Sequence, residues 1–174
     1  ESALPKVVIL VGEGKCGAFS PSGYCGLMGG NGADPARARL AAMRLFDGKI
    51  VQVKGTRLQR EGRMMIELEQ GDRAVVVAPD QSGGPPGTES REPGPIHVRG
   101  WIVDSKCYLG AMKPGEGKAH RACAARCISG GIPPMLIDWT GGAARFYLLA
   151  DADGAAANQA VLPFVGDEVE VEGR

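Results

Sequence analysis

The residues with the most pointed chemistry are Cys107, His120, Cys123 and Cys127. On a helix, positions i, i+3 and i+7 share one face. His120, Cys123 and Cys127 therefore line one stripe, and Cys107 can close on them from the preceding loop. Three thiolates and an imidazole make a Cys3His set of the kind that holds zinc. The same face admits a structural disulfide from Cys107 to one helical cysteine, with a buried thiol left over. Cys123 and Cys127 are four apart, which puts their Cβ atoms about 5–6 Å apart on an intact helix. A disulfide wants about 3.8 Å, so these two do not pair with each other. A reactive thiol is the third option. Haem attachment is excluded, because no Cys-x-x-Cys-His occurs.

Two further cysteines, Cys16 and Cys25, sit among eight glycines in residues 12–32 and suit a second disulfide. The total of five is odd, so one thiol is left over unless a metal takes several. No catalytic residue emerges. A Gly-x-Ser-x-Gly element is missing, and the second histidine, His97, lies on a strand and reads as a surface residue. Gly84, Pro85, Pro86, Gly87 and Thr88 open like a phosphate loop, but Glu89 and Ser90 stand where Gly-Lys must reach the phosphates. Gly12 to Gly17 fails in the same way. Asp151 and Asp153 begin like a calcium loop but lack its remaining ligands, and read as a turn.

The elements that must position the cluster follow from patterning. Residues 79–95 hold five prolines and four glycines, which excludes helix or strand interior. This linker divides the chain into a β-rich domain at 1–78 and a second domain at 96–174. In the first, a strand is predicted at 6–11 and a loop at 12–32. A helix follows from the Asp34 cap and Pro35 to Gly48, with Leu40, Met43 and Phe46 facing inward. Strands are predicted at 49–54 and 63–69, joined across the Gln59–Gly62 turn, and at 74–78. Met64, Ile66 and Leu68 should point to the core, Glu67 and Glu69 away from it. In the second domain a strand at 96–103 leads through a loop to a helix at 118–127, stopped by Gly130 and Gly131. A hairpin at 135–139 and 145–149 follows, then a strand at 166–173 that echoes 48–55. Its echo in the first domain leads into a hairpin partner, which here would lie beyond residue 174. The fold class expected is mostly β: two small OB-like open barrels, each with one short inserted helix.

Composition narrows the function. Twenty basic residues balance 20 acidic ones, with no basic stripe, which argues against nucleic acid. The longest apolar run, 7–11, is far short of the ~20 residues that span a bilayer. Glycine (27) and proline (12) favour short strands and turns. The opening at Glu1 without a methionine suggests a leader or anchor upstream.

Residues 100–107, with Asp104, Ser105 and Cys107, then His120, Cys123 and Cys127, then Gly130 to Pro134, resemble a family of uncharacterised bacterial exported domains. Its pattern is Gly-x-x-x-Asp-Ser-x-Cys, then His-x-x-Cys-x-x-x-Cys, then a Gly-rich turn into a meander. The resemblance covers about 96–174. It implies an OB-like domain in the cell envelope, often in membrane-anchored proteins, and no activity. The expectation is a non-catalytic extrinsic accessory subunit on the periplasmic side. It would dock on a membrane-bound complex such as a respiratory or photosynthetic electron-transfer complex, with no cofactor, nucleotide or nucleic acid. The alternatives are a metal-binding or metal-delivery domain holding zinc at Cys107, His120, Cys123 and Cys127, and a thiol–disulfide redox protein. In the oxidising envelope the cluster leans toward a disulfide from Cys107.

Overall fold

The computed structural model describes residues 9–12, 46, 48–69, 74–80 and 94–174. The glycine-rich loop with Cys16 and Cys25, most of the helix expected after Asp34, and most of the linker lie outside these residues.

The described chain is mostly β, arranged in several small sheets. In chain order the strands are β1 (Ile9–Gly12), β2 (Val51–Val53), β3 (Gly55–Arg60), β4 (Arg63–Leu68), β5 (Val75–Val77), β6 (Ile96–Asp104), β7 (Pro134–Asp138), β8 (Arg145–Leu148) and β9 (Glu168–Gly173). The described residues also form two helices, α1 (Arg121–Ser129) and the single turn α2 (Asn158–Val161), and helical turns at Cys107–Ala111, Lys118–His120 and Leu162–Phe164. The sheets run β1-β4-β3, β2-β5 and β8-β7-β6-β9. None closes into a barrel among the described residues.

β3 and β4 form a tight hairpin. Glu61 and Gly62 both have positive φ, 51° and 75°, as the two central residues of a turn that matches strand twist must. The partner of β4 is thus β3, and not the 49–54 segment, which pairs with β5. β3 carries one apolar side chain that matters, Leu58, so its pattern is weak. β4 buries both faces: Met64 and Leu68 on one, Met65 on the other. Met65 joins Val103, Cys107, Tyr108, Leu109, Cys127, Ile132, Met135 and Ile137 in one apolar cluster, with Leu58 packed against it. The alternation of 63–69 marked that second face as solvent, whereas Met65 is fully buried and Glu67 reaches Lys106 at 2.5 Å. β5 buries only Val75, and Val76 and Val77 are exposed.

In the four-stranded sheet β6 is central, antiparallel to both β7 and β9. β9 pairs with β6 on the side away from β7 and forms one edge of the sheet. The 118–127 helix is α1, preceded by a tight turn at Lys118–His120. Its inner face is Ala124, Cys127 and Ile128, at the three-to-four spacing of helix packing. It stops where Gly131 takes φ 98° and the Ile132 N–H returns to the Cys127 carbonyl at 3.0 Å. α2, which the pattern did not indicate, contributes Asn158. Its amide donates to the Ile128 and Ile132 carbonyls at 2.7 and 2.9 Å and so holds the end of α1. At its other end the Arg121 side chain bonds the Val165 carbonyl at 2.7 Å and the Asp167 carboxylate.

Candidate metal centre

β6 runs directly into the cluster, and each residue after it is fixed by a different partner. The Asp104 carboxylate, fully buried, accepts the Cys107 N–H at 2.8 Å. Ser105 and Lys106 are already helical and run into the wide turn Cys107–Ala111, so that bond to the third N–H caps the start of the whole segment. Ser105 donates its hydroxyl to the Pro133 carbonyl at 2.8 Å. Lys106 pairs with Glu67 on β4. Cys107 then points into the apolar cluster, beside Tyr108. The Tyr108 ring meets Phe146 edge-on at 6.0 Å and lies beneath the Arg60 guanidinium at 4.0 Å. Burial pushes its hydroxyl up to about 12.

Gly115 closes the loop that follows the wide turn. A Cβ there would meet the Cys107 carbonyl oxygen at 2.6 Å and the Tyr108 Cα at 2.7 Å, so only glycine lets the loop lie on the turn. The loop then returns through Lys118–His120 to α1.

His120 is buried at the head of α1, with Nε2 3.2 Å from the second oxygen of Asp104. One carboxylate thus caps the Cys107 turn and orients the imidazole. A proton on Nε2 donated to Asp104 leaves Nδ1 with its lone pair, the arrangement in which histidines ligate metals. Donor atoms of Cys107, His120 and Cys123 all lie within 4.8 Å of one another, as do those of Asp104, Cys107 and Cys127. The four residues singled out in the sequence are thus brought together around Cys107. They form two overlapping triads, however, with Asp104 completing the second. Cys107 and Cys127 are buried and Cys123 is half-buried. Cys123 Sγ also lies 3.4 Å from Met112 Sδ. His97 is elsewhere, on the exposed face of β6, 3.6 Å from Glu170.

The Cys107 and Cys127 sulfurs are 4.0 Å apart, twice the ~2.05 Å of a disulfide. At that spacing the two thiols are in hydrogen-bond contact and remain free. The Cys107 thiol is pushed up by its hydrogen bond with Cys127, by burial and by the nearby Asp104 carboxylate. A redox nucleophile needs a depressed thiol pKa and solvent access, and Cys107 has neither. A bound cation supplies the positive charge that would offset these effects. Burial also pushes the Asp104 carboxyl above its usual range, against the lowering from its Cys107 and His120 bonds.

Asp104 and Met112 are the site residues that motif reasoning left without a role. The signal for Asp104 was available: an Asp three residues before Cys107 is the spacing of a cap to the third N–H. Met112 has no local signal, since its approach to Cys123 depends on the loop fold. No protein-family model, curated protein or solved structure matches this chain. No helix among the described residues is long and apolar enough to cross a membrane.

Proposed function

We propose that this chain is a non-catalytic metal-binding domain that holds one soft-to-borderline cation, of the zinc class, at Cys107, His120 and Cys123. Cys127 lies beside the site and Asp104 behind the imidazole. The observation that carries the reading is the convergence of those three donor groups within 4.8 Å at a strand end and a helix start. Thiolate and imidazole are the ligands such ions select. The four-stranded sheet then serves as the wall of an OB-like half-barrel that carries the site.

The test is metal content after purification under reducing conditions, with thiol counting on the denatured protein. One zinc per chain, lost in Cys107→Ser and in Cys123→Ser, supports the reading. Metal-free protein in which mass mapping finds a Cys107–Cys127 disulfide overturns it in favour of a staple.

A second reading sets this domain on the envelope side as an extrinsic accessory subunit of a membrane complex. It rests on the family resemblance and on the β7–β8 hairpin, where Trp139 and Leu148 are exposed next to a sheet edge. Exposed apolar side chains at a sheet edge suit a protein partner. Cell fractionation tests it: the protein should follow the envelope, and a cytoplasmic pool holding nearly all of it removes this setting.

A further inference from the structure

We infer that Met112 is a further ligand of this site and that the site's preferred cargo is monovalent copper. The inference rests on the metal-binding reading above and deepens it. Its observation is the 3.4 Å approach of Met112 Sδ to Cys123 Sγ, which adds a thioether to two thiols and an imidazole.

The chemistry of the donors decides between cargoes. Zinc is held by thiolate, imidazole and carboxylate, and thioether is not among its ligands. Copper(I) is soft and accepts thiolate and thioether sulfur together. A set of Cys107, Cys123, His120 and Met112 offers three sulfurs and one nitrogen. On binding, each ligating thiol loses its proton to solvent, and no redox change is needed.

The position of Met112 gives the site a door. One end of the cluster is sealed: Asp104, Cys107 and Cys127 are buried against the apolar core. The other end is open. Cys123 is half-buried, and Met112 is 39 % exposed. Met112 stands where the wide turn ends, two residues after Gly110 takes φ 144° and breaks the helical path. A metal-chaperoning partner or a small thiol would reach the ion through this end, with the flexible thioether as the ligand that lets go first.

The experiment is anaerobic titration of the reduced full chain with copper(I), against a chromophoric chelator, and separately with zinc. Wild type and Met112→Leu are compared. Methionine and leucine are close in volume, and the position is partly exposed, so the variant should fold; circular dichroism checks this. The expected result is at least a tenfold loss of copper(I) affinity in Met112→Leu, with zinc affinity unchanged within twofold. X-ray absorption of the copper(I) wild type should count three sulfurs around the ion, falling to two in the variant. Equal copper(I) affinity in both proteins, or two sulfurs in wild type, overturns the role of Met112 and leaves the metal-binding reading standing. Binding of neither ion to wild type overturns that reading itself.

Discussion

Asp138 and Asp104 are both buried in the four-stranded sheet, and their surroundings differ sharply. Asp138 ends β7 and Asp104 ends β6, so the antiparallel pairing puts them at opposite ends of the sheet. Asp138 accepts the Thr140 hydroxyl at 2.6 Å and the Thr140 N–H at 2.7 Å, and it pairs with the Arg145 guanidinium. Those partners, the Thr140 hydroxyl first, hold its carboxyl below the usual carboxylate range. Asp104 accepts the Cys107 N–H, is in hydrogen-bond contact with the Cys107 thiol, and faces an imidazole. The permanent cation two residues along, Lys106, is paired with Glu67 instead. One carboxylate is a brace with its counter-charge built in. The other is buried beside the Cys107 and Cys127 sulfurs, with an imidazole as its facing side chain. The difference separates a structural corner from a site prepared for a cation that comes from outside.

The largest effect that bears on this contrast is at Glu67. Glu67→Gln removes the carboxylate charge facing the buried Lys106 ammonium and should cost about 3 kcal/mol in urea unfolding, as breaking a buried ion pair does. A negligible cost would mean that Lys106 can turn to Asp104, and the contrast would collapse.

Next in size is the paired comparison of Asp138→Asn and Asp104→Asn in metal-free protein at pH 7. Asp138→Asn should lower the thermal midpoint, and Asp104→Asn should leave it unchanged or raise it, since it removes a poorly compensated buried charge. The reverse order would refute the contrast. Metal affinity should respond oppositely: a loss of about 10–100-fold for Asp104→Asn, as for the outer partner of a ligating histidine, and none for Asp138→Asn.

Acid sharpens the same point. A carboxyl whose folded pKa is lowered contributes stability above its unfolded value, about 3.9, and loses it as pH falls through the folded value. The stability gap between wild type and Asp138→Asn should therefore narrow below about pH 4 in urea titrations at stepped pH. A gap that stayed constant to pH 2 would show that Asp138 acts by shape and not by charge. The smallest effect belongs to Arg99→Ala. Its 2.8 Å pair with Glu168 is exposed, and no change in midpoint should be measurable.

The sheet elements around the site were legible because their side chains alternate or run apolar: 96–103, 135–139 and 145–149 all form strands close to their expected bounds. The helix carrying Cys123 and Cys127 was legible from the 3.6-residue period, whereas His120 stands in the tight turn before it. β3 was not, because Gly55-Thr-Arg-Leu-Gln-Arg60 has one apolar residue and acquires its place from the hairpin turn. Nor was the second buried face of β4, since Met65 and Glu67 are matched by Tyr108 and Lys106 some forty positions away. Local patterning carries no information about such partners. The wide turn at Cys107–Ala111 was read as loop for a related reason: its start is held by Asp104, one residue past the expected strand end at Val103.

The fully buried Met65 has a consequence for how the molecule is made. The hairpin of β3 and β4 leaves the ribosome well before Tyr108, Cys127 and Ile137, the residues that cover that methionine. At roughly 5–20 residues per second, several seconds separate the two. Throughout that interval the nascent chain displays an uncovered apolar face at Met65. That face is where a chaperone would be recruited during synthesis, and where a second nascent chain would stick in its absence.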